Sequence, residues 1–129
     1  MKGFIKKIKL GLAIIVTKLT VWGLRMVGRG GTSLPGKIAL KICPDIFNRL
    51  SDRFRIIMIT GTNGKTTTSR IIEGMLQKAG LKYISNKSGA NLASGVATTL
   101  ISALSLTGKP VVRTALLETD EAAFRTLAP

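Results

Sequence analysis

Residues 56–68 read Ile-Ile-Met-Ile-Thr-Gly-Thr-Asn-Gly-Lys-Thr-Thr-Thr. The apolar run predicts a buried strand and the residues from Thr66 onward predict a helix, so a glycine-rich turn joins the two. Such a turn lets backbone N–H groups surround phosphate oxygens, and the helix N-terminus adds partial positive charge. Lys65 supplies a point charge and Thr66 a hydroxyl for Mg²⁺. We therefore predict a cradle for ATP and Mg²⁺; the alternative is a Gly/Asn turn with a solvated lysine. The predicted nucleotide-binding residues are Gly61, Thr62, Asn63, Gly64, Lys65, Thr66 and Thr67.

The spacing of this loop indicates which class of nucleotide-binding protein it belongs to. The common P-loop pattern is G-x-x-x-x-G-K-[ST], and Ile59 stands where its first glycine would be. The absence of a glycine at this position argues against a kinase or GTPase. The shorter form, Thr60 to Thr68, resembles the ATP-binding loop of the Mur ligase superfamily, which includes the folylpolyglutamate synthases and the peptide-adding Mur ligases.

Composition excludes several classes of site. The chain has 129 residues, one cysteine and no histidine. It therefore has room for one modest domain, and it holds no disulfide framework, cysteine-rich metal site or histidine-based catalysis. Aromatic residues make up 5% of the chain, which argues against a nucleic-acid module that stacks bases.

The charge is strongly positive and uneven. The formal net charge is +14, and no acidic residue precedes Asp45. A surplus of this size indicates an anionic partner such as phospholipid headgroups or a phosphorylated ligand. We also expect acidic segments beyond Pro129, with the chain being the N-terminal part of a longer protein.

The first 27 residues predict a basic amphipathic helix that ends at Gly28. Lys7, Lys18 and Arg25 share one side of this helix, and Lys18 and Arg25 argue against a membrane-spanning helix. Two interpretations stay open: the helix binds a membrane surface, or it packs on the protein's own body with its lysines solvated. Apolar residues recur at three- and four-residue steps and are called the apolar stripe below: Phe4, Ile8, Leu12, Ile15, Leu19, Trp22 and Met26.

Strands and helices are predicted to alternate after this first unit. The patterns predict a linker at 32–36, a helix over 37–50 broken near Cys43, strands over 55–59, 83–85 and 111–117, and helices over 66–79, 96–106 and after residue 121. Alternation of this kind predicts an α/β fold of the P-loop type, with three α/β/α layers and a mostly parallel sheet. We expect an N-terminal region over 1–50 and the first portion of an ATP-binding domain over 51–129.

Acidic residues cluster where the last predicted strand ends. Ligands bind at the carboxyl ends of strands in open α/β sheets, and Glu118 is the first residue past the strand. A carboxylate there can hold Mg²⁺ together with Thr66, so we predict Lys65 and Glu118 as catalytic residues and Thr66 and Glu118 as metal ligands. Asp120 and Glu121 are interpreted as favouring the start of the next helix.

A polar loop after the strand at 83–85 is a second candidate for phosphate binding. It reads Asn-Lys-Ser-Gly-Ala-Asn over residues 86–91. We predict that Ser88 and Asn91 approach the γ-phosphate from the side opposite Lys65. The alternative is an ordinary surface loop, because such residues mark most loops.

Four segments resemble the MurT family, the ligase-like subunits of lipid II isoglutaminyl synthase. Residues 29–39 are similar to R-G-G-T-x-L-P-G-x-[IV]-A, and residues 60–68 to T-G-T-N-G-K-T-T-T. Residues 86–95 are similar to N-x-[SE]-G-A-N-x-x-x-G, and residues 116–122 to L-L-E-x-D-E-A. The first of these separates MurT from folylpolyglutamate synthases and peptide-adding ligases.

The resemblance implies a reaction and its partners. MurT works with GatD, a glutamine amidotransferase, and amidates the α-carboxyl of D-glutamate in the stem peptide of lipid II by way of an acyl phosphate. It implies ATP and Mg²⁺ here, with zinc expected only in a downstream region, and a cytoplasmic location, peripheral at the inner face of the membrane. No nucleic-acid partner is expected. The alternatives are a fragment of a folylpolyglutamate synthase-like or peptide-adding ligase, or an inactive ATP-site stub.

Overall fold

The computed structural model describes residues 1–30, 33–86 and 90–127. The helices are α1 (Lys2–Met26), α2 (Ser33–Ile42), α3 (Ile46–Leu50), α4 (Lys65–Lys78), α5 (Ala93–Ser102) and α6 (Glu121–Leu127), with a 3₁₀ turn at Ser51–Arg53. The strands are β1 (Arg55–Ile59), β2 (Tyr83–Ser85) and β3 (Thr114–Glu118).

The three strands form one parallel sheet in the order β1-β3-β2. Arg55 pairs with Thr114 at one end of the β1–β3 ladder and Ile59 pairs with Glu118 at the other. The helix α4 connects β1 to β2, and α5 connects β2 to β3, as parallel strands require a crossover between them. The fold is therefore α/β, as predicted, and the strand that ends at Ile59 lies next to the strand that ends at Glu118.

The core joins the central strand to the N-terminal helices. Ala115 and Leu117 of β3 belong to one buried cluster with residues of α1, α2, α3 and α5. Leu116, which strand alternation places on the other face, is also buried, and α4 packs against β1 and β3. The first and second predicted regions thus share one core.

The predicted linker at 32–36 is wrong from Ser33 onward, where α2 begins. Pro35 is compatible with the first turn of a helix, because the N–H it lacks would have no partner within the helix there. The residue after it, Gly36, is buried against α5, and a Cβ at this position would overlap the carbonyl of Ser94. A Pro-Gly pair that indicates a turn in the sequence therefore serves a close helix–helix contact.

Two predicted elements lie at shifted positions. The helix predicted over 96–106 begins earlier, as α5, and ends at Ser102. The strand predicted from Val111 begins at Thr114, because Val111 donates a backbone hydrogen bond to Ala103 (2.9 Å) and so belongs to the turn that follows α5.

The N-terminal helix forms as predicted, but its buried face is not the apolar stripe. Leu10, Ala13, Ile14 and Thr17 are the buried residues of α1, whereas every residue of the apolar stripe is exposed. Contacts with α2 and α5 cover the buried face. Within the described ranges, no helix is long and apolar enough to cross a membrane.

A buried thiol and an ion pair fix the break between α2 and α3. Cys43 is fully buried, and its Sγ donates to Asp45 Oδ1 at 3.3 Å. Burial raises the pKa of this thiol to about 11, which agrees with an unreactive cysteine. Arg49 donates to Asp45 Oδ2 (2.6 Å) and to the backbone oxygen of Lys6 (2.9 Å), so it also ties α3 to α1.

Candidate nucleotide site

The loop between β1 and α4 has the backbone shape that its glycines permit. Gly64 adopts the left-handed conformation (φ +78°) and is the residue before the first turn of α4, and Gly61 has φ +142°. Both values are in the region that side chains disfavour. An open depression of about 260 Å³ lies over this turn. Its lining residues are Thr62, Asn63, Gly64, Lys65, Thr66 and Thr67, which are predicted site residues.

Backbone donors face this depression at the start of α4. The first hydrogen bond of the helix runs from Thr68 N to Gly64 O, at 2.9 Å. The N–H groups of Lys65, Thr66 and Thr67 precede it and so have no acceptor within the helix. With the positive end of the helix dipole, they form a surface that attracts anions.

The Lys65 side chain folds back over the same loop. Its ammonium donates to the backbone oxygen of Gly61, and the residue is half-buried. The ammonium is thereby held beside the depression rather than extended into solvent. A phosphate in the depression would compete with the Gly61 carbonyl for this charge, and a charged acceptor forms the stronger hydrogen bond.

The carboxyl end of β3 brings Glu118 to the loop. Thr66 Oγ1 donates to Glu118 Oε2 at 3.4 Å, although 52 residues separate the two in sequence. The parallel pairing of β1 and β3 causes this contact, because Ile59 and Glu118 lie opposite each other at the sheet edge. A hydroxyl and a carboxylate oxygen at this spacing are the hard ligands that Mg²⁺ prefers.

The backbone of Glu118 is held by a residue that sequence reasoning did not place in the site. Asn86 is buried; its Nδ2 donates to Glu118 O (2.7 Å) and its Oδ1 accepts from Glu118 N (2.8 Å). The same Nδ2 donates to Ala90 O at 2.8 Å. Since β2 ends at Ser85, paired with Leu116, the Asn86 amide supplies the partners that a longer β2 would offer to the Glu118 backbone. The only sequence signal was its presence in the motif at residues 86–95.

Comparison with known proteins assigns the chain to a family. A model of the Mur ligase middle domain matches residues 59–123, which run from the end of β1 through the start of α6. The chain belongs to the Mur ligase family. The match includes the glycine-rich loop, Asn86 and Glu118, so all the contacts described above lie within the Mur ligase region.

Individual relatives of this Mur ligase chain fall into two groups. Lipid II isoglutaminyl synthase (glutamine-hydrolyzing) subunit MurT of Streptococcus pneumoniae R6 is 40% identical over 118 residues, or 91% of this chain. The subunit of that name from Staphylococcus aureus COL is 40% identical over 84% of this chain. UDP-N-acetylmuramoyl-L-alanyl-D-glutamate–2,6-diaminopimelate ligase of Aquifex aeolicus is 50% identical, but over 42 residues and 33% of this chain. The chain spans about a quarter of the two MurT relatives, 26% and 24% of their lengths.

Two further acidic residues of the Mur ligase region, Asp120 and Glu121, serve the last helix. Asp120 Oδ1 accepts a hydrogen bond from Ala123 N at 2.6 Å, which is the bond of a helix cap. Glu121 is exposed in the first turn of α6, where its charge favours the helix dipole. The interpretation of both residues as helix-starting groups agrees with these positions.

The predicted second phosphate loop is described only in part. Asn91 is half-buried, and its backbone oxygen accepts from Asp120 N at 3.3 Å, so it lies at the same sheet edge as Glu118. Ser88 lies outside the described residues. Over residues 1–30, 33–86 and 90–127, no group of three His, Cys, Asp or Glu side chains is placed to hold a metal ion. Of the predicted metal ligands, the structure brings Thr66 and Glu118 together at this edge.

A larger cavity lies away from the glycine-rich loop. It has a volume of about 340 Å³ and opens between α1, β2 and α5. Arg25, Arg29, Ser85 and Ser102 contribute polar groups to a largely apolar wall. Sequence analysis gave no signal for it, because its lining comes from three separate segments.

Proposed function

We propose that this Mur ligase chain is the ATP-binding part of the MurT subunit of a glutamine-hydrolysing lipid II isoglutaminyl synthase. The observation that carries the proposal is the meeting of Thr66 and Glu118 at 3.4 Å beside a glycine-rich loop whose following N–H groups have no acceptor within the helix. The similarity to two MurT subunits over more than four-fifths of the chain supports the choice of family member. The similarity to the diaminopimelate ligase covers a third of it.

The proposed fold is the first part of a P-loop-type domain with three α/β/α layers. In this proposal residues 51–129 form that part of the central ATP-binding domain, and residues 1–50 form an N-terminal region of amphipathic helices that packs onto it. The burial of β3 on both faces supports the layered arrangement.

ATP is proposed to lie with its phosphates in the depression over the loop. Backbone N–H groups of the first turn of α4 would donate hydrogen bonds to the β- and γ-phosphate oxygens, and the Lys65 ammonium would move from Gly61 O to the γ-phosphate. Ser88 and Asn91 are proposed to approach the γ-phosphate from the other side. This arrangement holds the nucleotide in place and offsets its negative charge.

Thr66 and Glu118 are the residues that would hold Mg²⁺. Their hydroxyl and carboxylate oxygens fit a hard divalent cation, and they come from the first turn of α4 and the carboxyl end of β3. Bound Mg²⁺ supplies charge neutralisation for phosphoryl transfer. Asn86 would keep the Glu118 carboxylate at the sheet edge through its two bonds to the Glu118 backbone.

The proposed reaction is amidation of a carboxylate in two steps. The α-carboxylate of the stem-peptide D-glutamate attacks the γ-phosphorus of ATP, which gives an acyl phosphate and ADP. Ammonia, released from glutamine by a GatD-like amidotransferase partner, then attacks the acyl carbon, phosphate leaves, and a proton is lost to give D-isoglutamine. Lipid II would be the acceptor, which places the protein in the cytoplasm at the inner face of the membrane.

Nucleotide binding by site variants tests the proposal. Isothermal titration calorimetry with ATP and Mg²⁺ should show at least about tenfold weaker binding for Lys65→Ala, because a charge-assisted bond contributes about 1.5–3 kcal/mol. Glu118→Gln should weaken ATP binding when Mg²⁺ is present and leave binding in EDTA unchanged. Lys82→Ala, an exposed lysine before β2, is the matched control and should bind as the parent chain does. Equal affinity of the parent and Lys65→Ala would refute the cradle.

A further inference from the structure

The helix α1 has two apolar faces, and one of them is uncovered. Successive helical residues are about 100° apart, so Leu10 and Leu12 lie about 200° apart around the axis. Leu10 is on the face buried against the protein and Leu12 is 50% exposed. The exposed fractions of the apolar stripe run from 47% at Ile15 to 71% at Met26.

The uncovered face is long and continuous. The 25 residues of α1 span about 37 Å, and the apolar stripe extends along nearly all of that length. Soluble chains rarely leave a continuous apolar surface of this size in water, and such surfaces mark binding sites for proteins or membranes.

Basic side chains border the stripe on both sides. Lys7, Lys18 and Arg25 lie about a quarter turn from it on one side, and Lys2 and Lys9 lie at a similar angle on the other. The helix carries no acidic residue. In the part of the chain that the structure describes, the one ion pair is that of Arg49 with Asp45, so these cations do not pair with carboxylates there.

We propose that α1 docks the protein on an anionic phospholipid surface, with its axis in the plane of the membrane and the apolar stripe inserted among the acyl chains. An apolar strip with cations along one side and at the N-terminal part of the other has the geometry of an interfacial helix, in which lysine stems extend to the phosphate level. A protein partner for this face would need acidic rows on both sides of an apolar groove, whereas a phospholipid surface supplies both along any direction. The inference is independent of the proposed ligase activity.

The opposite face of α1 explains how docking leaves the fold intact. Its buried residues pack against α2 and α5, and Arg49 holds the Lys6 carbonyl. The helix therefore needs no release from the protein to reach the membrane, and the stripe points outward in the folded chain.

Vesicle binding by the full 129-residue chain tests the proposal. Vesicles of phosphatidylcholine with phosphatidylglycerol should co-sediment the chain and shift the fluorescence of its single tryptophan, Trp22, to shorter wavelength. The double variant Leu12→Ser/Leu19→Ser should bind about a hundredfold more weakly, since burial of each leucine contributes tenfold or more. The matched control Leu106→Ser/Val111→Ser removes two apolar groups elsewhere that are somewhat more exposed, and it should bind as the parent does.

Charge variants and quenching complete the test. Lys7→Gln/Lys18→Gln should lose roughly 25-fold on the anionic vesicles, at about fivefold for each cation, and little on pure phosphatidylcholine. Brominated lipids should quench Trp22 in the parent chain, a measurement that needs no variant to fold. If the leucine variant binds vesicles as tightly as the parent chain, the binding depends on surface charge alone and the proposal is overturned. Concentration-dependent self-association that buries Trp22 without vesicles, with no further shift when they are added, would assign the stripe to a second copy and also overturn it.

Discussion

Replacement of Asn86 by alanine tests whether this side chain anchors the edge of the sheet at the candidate site. The amide of Asn86 makes three hydrogen bonds, two to the backbone of Glu118 (2.7 and 2.8 Å) and one to Ala90 O (2.8 Å). Because Asn86 is 7% exposed, the groups it leaves behind would have limited access to water. The substitution removes all three bonds and adds no new group that could clash.

The expected loss of stability follows from this count. A hydrogen bond contributes about 1 kcal/mol net, and a buried group left without a partner costs about 1–3 kcal/mol. Three bonds therefore predict that the free energy of unfolding falls by about 2–4 kcal/mol. The loss stays below three times the largest cost of a buried group without a partner, because water can partly reach the groups that Asn86 leaves behind. At a urea dependence of about 2 kcal/mol/M, the middle of the usual range, the unfolding midpoint should fall by about 1–2 M.

Urea titration followed by circular dichroism measures this loss. Ser85→Ala is the matched control: it removes one exposed bond to Glu73 (3.0 Å), so we expect a change of less than about 0.5 kcal/mol. Asn86→Asp places a carboxylate oxygen against the carbonyls of Ala90 and Glu118, which raises the carboxyl pKa. Its destabilisation should be at least as large as that of alanine at neutral pH and should diminish as pH falls and the carboxyl gains a proton. A change below about 0.5 kcal/mol for Asn86→Ala would refute the anchoring role.

Further predictions concern helix packing and pH. Gly36→Ala should destabilise the fold by about 1–3 kcal/mol, because its Cβ would overlap the Ser94 carbonyl, whereas Gly74→Ala on α4 has open space and should stabilise it by about 1 kcal/mol in the same thermal unfolding assay. Burial raises the pKa of the Cys43 thiol from 9.0 to about 11, so its contribution to stability should be complete below pH 9 and lost as pH rises toward 11. Equal thiol titration curves in native and urea-unfolded chain would contradict this. The Arg49 guanidinium holds the Asp45 pKa at about 2 against 3.8, so Asp45→Asn should cost about 0.3–0.5 kcal/mol at neutral pH and nothing below pH 2; a cost that persists in acid would point to packing instead.

The glycine-rich loop and its flanking elements were predictable because their signals are local. The strand at 55–59 and the strand at 83–85 have the predicted bounds, and the helix after the loop begins one residue earlier than predicted. Glycines at 61 and 64 adopt positive φ values, as their place in the turn requires. The approach of Glu118 to Thr66 was also predictable, since a general rule places the carboxyl ends of parallel strands at one edge.

The role of Asn86 was not predictable from sequence pattern. Its partner Glu118 is 32 residues away, and an asparagine after a short strand is typical of any loop. The bond depends on β2 ending at the pair of Ser85 with Leu116, two residues before Glu118, which is a property of the assembled sheet. The start of α2 was missed for a similar reason, because Pro35 and Gly36 indicate a turn until the contact with α5 is known.

The N-terminal helix shows most clearly what the sequence determines and what the tertiary structure decides. The sequence by itself determined that residues near 4–27 form a basic helix, because periodicity of apolar residues is a local property of the chain. It did not determine which side packs inward, since apolar residues lie on two opposite faces and both satisfy helical spacing. Tertiary structure decided this: the face with Leu10, Ala13 and Ile14 fits closely against α2 and α5, and the larger side chains of the apolar stripe are left outside. Close packing requires that the buried face fit the shape of the surface formed by α2 and α5, and the sequence of α1 does not determine that shape.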